Sequence, residues 1–463
     1  MAAIPLPDGY GACLVTGDGL ACALDWFAPT PPTLADLEPA GVLVLDHHRL
    51  RGQPTQIAIL GDEPPPSWWE WLGRRALPDE PATEVDSFAG WHWLATQIAA
   101  QRRWDLRLPA AAKRAYREAS ARRAVIVDFG DGPITRNQDT SRLDLSALTG
   151  AVDFAALDSL PRCTELTWCG DDRGLRPALE ARPIISDLTW EDPPSSVDLS
   201  GTGLTSLRLV GARVELLRVP DRLETLDLAE STVATVAAAD DGRWLRLTVG
   251  TGDVPAGLGG VRDLTVNGNG TISAAAWSGL SDLRRLRATW RSGPGELSDG
   301  EALAALALLA EITLVDAYGV DVGVFPDLPA LRWLDFQGVR QSAVPALRAR
   351  YRETPVRVTL TGAKDDTWLE ANLNNPFRDW SDDDERAGAA ACKAYATALR
   401  GVHKQPASAL RTLVDQLNRI EARYGVIDTL RREQAADAFA DLAARAGVPA
   451  QLATRWFDEW REF

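Results

Sequence analysis

Side chains that could carry catalysis are scarce. Only four histidines occur in 463 residues, and two of them adjoin in Asp46-His47-His48, directly after a GVLVLD run that reads as a strand. A strand end is a place where a metal or catalytic site can form, and His92 could add a third ligand. Against this, neighbouring side chains on an extended chain point to opposite faces, so His47 and His48 rarely converge on one ion. His47, His48 and His92 therefore stand as candidate ligands, while no metal and no other cofactor is expected. The five cysteines (Cys13, Cys22, Cys163, Cys169 and Cys392) make an odd count at spacings that fit no zinc or disulfide framework, and they read as reduced and mostly buried. Gly257, Gly259 and Gly260 have no Walker lysine, and no Ser-His-Asp or nucleotide-loop context appears. No catalytic residue is assigned.

Tryptophan and arginine carry a different chemistry, that of binding, and their places are set by a repeated pattern. From Leu143 to Leu360 an apolar, polar, apolar triplet recurs, with first members Leu143, Leu166, Leu188, Leu207, Leu226, Leu245, Leu264, Leu286, Ile312, Leu334 and Val358. The spacings are 23, 22, 19, 19, 19, 19, 22, 26, 22 and 24 residues, an internal repeat array. Strand side chains alternate, so each triplet sends two apolar residues inward and one outward. Just before the inward pairs the outward row runs Glu165, Asp187, Ser206, Thr225, Trp244, Asp263, Arg285, Glu311, Trp333, Arg357. Between the pairs it runs Asp144, Thr167, Thr189, Arg208, Asp227, Arg246, Thr265, Arg287, Thr313, Asp335, Thr359. Alternating charges such as Arg208, Asp227 and Arg246 can simply neutralise one another along neighbouring strands. An outward indole gains nothing from its own core and is a favoured interface anchor. Trp244 and Trp333, with Arg208, Arg246, Arg285 and Arg287, are therefore the expected partner-binding set.

Several copies extend upstream to LxxLxL, as in Leu204, Leu207, Leu209 and Leu223, Leu226, Leu228. The array thus resembles the leucine-rich repeat proteins of bacteria. The resemblance implies an α/β solenoid with a parallel concave sheet, and a protein or peptide held on its concave face. The asparagine that ties the turn after each strand in that family stands clearly only at Asn269. Turns of 19 residues leave room for extended or 3₁₀ backs from Leu188 to Leu264. Ser298 and Glu301 read as a capping box opening a helix in the 26-residue repeat, and SAVPALRARYRE (Ser342 to Glu353) reads as another helix. Trp168 and Trp190 fall on inward positions and read as core.

The flanks differ in composition. Residues 1–139 read as a small α+β domain, with a hairpin around Gly17, Asp18 and Gly19, strands at GVLVLD and QIAIL, two helical stretches flanking WDLRLP, and a closing AVIVDF strand. Within it Trp93 to Tyr116, with Arg107-Leu108-Pro109, resembles a fragment of the formylglycine-generating (sulfatase-modifying factor) family. Where that family continues Thr-Glu-Ala-Glu-Trp, this chain has Ala110 to Arg114. The cysteine half of the family is replaced by repeats, so no catalytic residue carries over. Residues 140–365 hold the solenoid. Residues 366–463 read as a helical module, with Leu410, Leu413, Val414, Leu417 and Ile420 on one helix face and Leu452, Trp456 and Trp460 on a last short helix; its expected role is to cap the last repeat.

A net charge of −16 sets a repulsive field against nucleic acid and anionic membranes, and no apolar run reaches the length of a span. A cytoplasmic, non-enzymatic scaffold for a protein or peptide is the resulting expectation. The alternative is an enzyme, possibly metal-dependent, in the N-terminal region, with the repeats selecting a protein or peptide substrate. Arginine outnumbers lysine 45 to 4, a genomic bias that weakens arguments from arginine clusters.

Overall fold

The computed structural model describes all residues except 17–18, 51–52, 61–64, 75–83, 87–89, 251, 292–293, 322 and 324. The chain opens with strands β1 (Ala2–Leu6), β2 (Gly9–Val15) and β3 (Leu20–Ala23), a short helix α1 (Leu34–Leu37), and strands β4 (Leu45–Leu50), β5 (Gln53–Thr55), β6 (Ile57–Leu60), β7 (Glu70–Trp71) and β8 (Glu84–Asp86). Six of them form one sheet in the order β7-β1-β2-β3-β6-β8. The β2–β3 hairpin is antiparallel as expected, while Gly17 and Asp18 of its turn lie outside the described residues. The strand expected over Gly41–Asp46 starts later: Val42 makes one bridge to Leu24, and the ladder proper is β4 with β5.

Helix α2 (His92–Arg107) and helix α3 (Ala110–Glu118) follow. The break between them falls at Leu108 (φ −77°, ψ 129°), inside the Trp104–Pro109 stretch expected to separate them but narrower than it, because Pro109 forces only its immediate predecessor out of helical geometry. One face of α2 places Leu94 and Ile98 in the core of the small sheet. Its other face, with His92, Thr96, Ala99 and Arg103, looks away from that core, and Ala95 at the border touches both the core and the cleft beyond it.

A hairpin of β9 (Ala124–Asp128) and β10 (Pro133–Asn137) leads into the repeats and sets Val127 and Phe129 on their core. Eleven strands then stack in parallel: β11 (Arg142–Asp144), β12 (Glu165–Cys169), β13 (Asp187–Glu191), β15 (Ser206–Arg218), β16 (Thr225–Ala237), β17 (Arg246–Val249), β18 (Asp263–Gly268), β20 (Arg285–Trp290), β22 (Glu311–Val315), β23 (Trp333–Gln337) and β24 (Arg357–Thr361). The numbers skipped are back strands, β14 (Ser196–Asp198), β19 (Thr271–Ser273) and β21 (Glu296–Ser298). Ten of the eleven expected triplets stand in register, from Leu143 opposite Leu166 to Leu334 opposite Val358.

The sixth triplet is corrected. Leu226 pairs with Leu247, and Leu247 with Leu264, so the register residue is Leu247 and not Leu245. The turn over Ala239–Gly242, with Asp240 and Asp241 in the left-handed region (φ 49° and 52°), takes up the extra length before the strand. A shift of two leaves every side chain on the same face, and Leu245, Leu247 and Val249 are all buried, so the sequence pattern could not distinguish the two registers. Arg246 and Thr248 therefore take the two outward places, and Trp244 precedes the strand.

The inward residues form one core running from Val127 to Leu347, with Trp168, Trp190, Trp277 and Trp290 inside it. Buried indoles need an acceptor: Trp168 donates to Asp171 O at 2.9 Å, Trp190 to Gly170 O at 2.7 Å and Trp277 to Gly252 O at 3.0 Å. The backs are extended where the turns are short, with Arg213–Arg218 paired to Thr232–Ala237. Two turns carry true helices, α4 (Leu175–Ala181) and α5 (Val344–Tyr351). The expected helix after Ser298 is instead a 3₁₀ turn over Gly300–Ala305. Ser298 belongs to β21, its hydroxyl donates to Asp299 at 3.1 Å, and Asp299 is left-handed at φ 52°, so no capping box forms.

The chain ends in α6 (Asp366–Asn372), α7 (Glu385–Gly401), α8 (Pro406–Tyr424), α9 (Thr429–Arg445) and α10 (Ala450–Trp460). This bundle packs around its own core, including Phe377, Trp380, Leu413, Leu417 and Phe439. Arg378, 8% exposed, reaches across to Asp316 of the repeats. No described helix is long and apolar enough to cross a membrane.

Leu226 is fully buried at the middle of the ladder. Leu226→Asp should lower stability by about 3 kcal/mol or more, combining the loss of a buried leucine with an unpaired buried charge. A thermal melt checks this, and a wild-type melting temperature would refute the register.

Candidate functional site

The concave face is covered in part. While Arg208 in the second outward row stays exposed, the stripe of α2 that turns from its own sheet runs along the edge of the solenoid trough where the strands start. At its N-terminal end His92 faces Arg246 and Arg285, the middle residue Thr96 donates a hydrogen bond to Glu224, and Arg103 donates to Gly203 O at 3.1 Å. Around the helix, Trp68 lies 5.9 Å from the Arg285 guanidinium, the Ser67 amide bonds the Glu311 carboxylate, Asp8 pairs with Arg222 at 3.1 Å, and Arg162 donates to Tyr116 O at 2.9 Å.

The expected binding residues divide accordingly. Trp244 is half-buried at the mouth of a cavity of about 100 Å³ between the N-terminal region and the solenoid, where Trp68, Trp69, His92, Thr96, Arg243 and Arg262 also stand. Its Nε1 donates to Asp240 at 2.8 Å, and the Arg262 guanidinium lies 5.5 Å from its ring. Trp333 does not project from the sheet: it is 7% exposed and donates to Thr359 Oγ1 on the next strand at 3.3 Å. Arg285 is held by Glu311 at 2.6 Å, with Asp263 at 3.9 Å. Arg208 pairs with Glu230 at 2.7 Å, and Arg246 donates to Thr225 Oγ1 at 2.9 Å. Arg287 is half-buried between Thr265 and Thr313. The span from Trp244 to Trp333, expected as two outward indoles with arginines between them, is not formed.

His47 and His48 share strand β4, but their side chains lie outside the described residues. His92 is a poor cation ligand, with two arginines facing it. Among the described residues no three His, Cys, Asp or Glu side chains gather to hold a metal.

Sequence reasoning missed Glu224, Thr96, Arg103, Trp68 and Trp69. The available signal was the spacing of His92, Ala95, Thr96, Ala99 and Arg103, a second helical stripe beside the apolar one, which marks a helix covered on both sides. Burial dominates the electrostatics of this seam. It pushes the Glu224 carboxyl up to about 7, against the pull of Arg246, Thr96 and Arg103. Burial also raises Asp263 and Glu311 despite Arg285, and lowers His92 to about 4 with help from Arg246 and Arg285.

Comparison with known proteins adds little. No family model matches the chain, and no curated protein matches it. Among solved structures the chain is similar to a crystal structure of an internalin from Listeria monocytogenes, at 16% identity and a TM-score of 0.25, over 48% of this chain and 68% of that one. At that distance the likeness says nothing about function. None of these comparisons supports the formylglycine-generating resemblance of Trp93 to Tyr116.

The two shifted groups act in opposite directions. Glu224, near 7 folded against an ordinary 4.5, binds more protons folded than unfolded, so the stability linked to it is present below pH 4.5 and lost as pH rises through 7. His92, near 4 against 6.5, gives stability that is present above pH 6.5 and lost as pH falls through 4. Relative to wild type, His92→Gln should melt at progressively lower temperature as pH rises across the His92 window, and Glu224→Gln as pH falls across the Glu224 window. Melts at fixed ionic strength test this, and identical pH profiles for all three proteins would place both groups in solvent.

Proposed function

We propose that the protein is a non-enzymatic scaffold that holds a protein or peptide against the concave trough of its solenoid, with the contact centred on the cleft mouth at Trp244. In this reading residues 1–139 form a small α+β domain over the trough, 140–365 the receptor and 366–463 a helical cap. The observation that carries it is that one edge of the trough already accommodates a helix. The 16 residues of α2 measure about 24 Å, matching about five strands at roughly 4.8 Å each. A surface that receives one folded segment along its length has the shape and polar groups to receive another.

Trp244 is the anchor in this reading because it is half-buried beside a cavity and flanked by Arg243 and Arg262, which favour an acidic group on the partner. Arg246 and Arg287 border the same strands. Trp333, Arg285 and Arg208 serve as framework, each already engaged within the chain. No disulfide joins the five cysteines, which fits a reducing compartment, and we place the protein in the cytoplasm. The charge of −16 disfavours nucleic acid and anionic membranes as partners.

The test begins with peptides enriched from a random display library on the full chain. Trp244→Ala should weaken the best of them by about tenfold, the range of an interface anchor, without lowering the melting temperature. Arg243→Glu should weaken it most at low salt. Unchanged affinity in both variants would move the binding site off the cleft.

A further inference from the structure

We propose that α2 is a resident ligand of the trough, held in cis, and that the partner displacing it is itself an α-helix, with small side chains facing the sheet and a basic group at the seam. The inference rests on the concave-face reading and gives that reading its partner class.

The first support is what faces what. Ala95, Thr96 and Ala99 meet Glu224, Arg246 and Asp263, while Thr96, Ala100 and Arg103 meet Ser186, Asp187, Thr205 and Glu224. Small residues on the helix face hydroxyl-bearing and acidic residues at the strand starts, which makes a guanidinium their natural companion. Arg103 has that place, with Glu224 and Asp187 drawing its charge toward the sheet.

The second support is that the fit is incomplete. Clefts of about 270 Å³, lined by Thr96 and Arg103, and about 530 Å³, lined by Arg103 and Arg107, open to solvent between the helix and the solenoid, so the helix leaves part of its edge unfilled. Acids that the helix covers are driven toward their neutral forms, so closure carries a desolvation cost. Among the described residues, one carboxylate oxygen of Glu311 and one of Asp335 are buried without a hydrogen-bond partner. A helix that filled the clefts at the Arg103 end, and reached past the place of His92 to bring a donor to those oxygens, would outbid the resident one.

The third support is that release needs no unfolding. Leu94 and Ile98 tie α2 to its own sheet, so the N-terminal region can lift with α2 as a body. Among the described residues the contacts to be broken include Thr96 to Glu224, Arg103 to Gly203, Asp8 to Arg222, Trp68 over Arg285 and the Ser67 amide to Glu311. The short link between α3 and β9 can serve as the hinge, beside the Arg162 contact to Tyr116.

The probe is a fluorescent, stapled peptide of residues 91–108 of this chain, with Leu94→Gln and Ile98→Gln to keep its second face wet. It is titrated into three full-length proteins: wild type, Ala99→Arg, which drives a bulky cation against Arg246, and Arg103→Ala with Asp8→Ala, which cuts two tethers and inserts nothing. The expected result is at least tenfold tighter probe binding by the opened variants than by wild type, with a larger radius of gyration by small-angle scattering. A probe carrying Arg103→Glu should lose that gain. The double variant covers the case in which Ala99→Arg fails to fold. Equal probe binding by wild type and a folded opened variant overturns the proposal. Library peptides that bind wild type and opened variants alike would sink the displacement while leaving the concave-face reading intact. Failure of both probe and library peptides on the opened variants would remove both.

Discussion

Everything in this molecule depends on the in-register stacking of apolar pairs along the parallel ladder. A single turn of this array cannot shield its leucines, and only its neighbours above and below can complete the burial. Hence the core is one body from Val127 to Leu347, and both of its ends meet other structure: the β9–β10 hairpin at one, the helical bundle at the other. The concave surface is a by-product of this demand. Because alternate residues must point inward, the others are forced into two straight rows on the far side, where their identity is free to serve something else.

Those rows are rich in charge, and their use is the main departure from an exposed binding surface. Charges of opposite sign on adjacent strands pair, as Arg285 does with Glu311 and Arg208 with Glu230. The N-terminal region then covers part of them, converting surface ion pairs, each of little weight, into a seam where burial sets the protonation of Glu224 and His92. An occupied trough of this type is polar and imperfectly packed, unlike the hydrophobic core beneath it. The same sheet thus has a face committed to stability and a face whose contacts can be exchanged.

Much of the solenoid was legible in the sequence because its signal is periodic and repeated. Ten of eleven register residues, the extended backs, the buried Trp168 and Trp190 and the helix at Val344–Tyr351 follow from spacing and polarity alone. The misses have physical reasons. Leu245 and Leu247 share a face, so alternation could not choose between them, and Asp299 in a left-handed conformation overrode a capping signal. The candidate site was the least legible part. Trp333 looks like an outward anchor in any strand diagram, but its indole lies down along the sheet toward Thr359. That α2 would cover one edge of the trough is a long-range fact that no local pattern encodes, although its second stripe was there to be read.

The two-residue slip at Leu247 has a consequence for how such an array can change over time. Turn length before a strand can change without exchanging the buried and the outward rows, because the turn and not the strand absorbs the difference, as at Asp240 and Asp241. Leu226 to Leu247 spans 21 residues and Leu247 to Leu264 spans 17, beside steps of 19, 22 and 26 elsewhere, odd and even alike. The two faces are kept by alternation inside each short strand, so insertions and deletions are filtered there and tolerated in the turns. The spacing of this chain has room to wander while its two faces stay distinct.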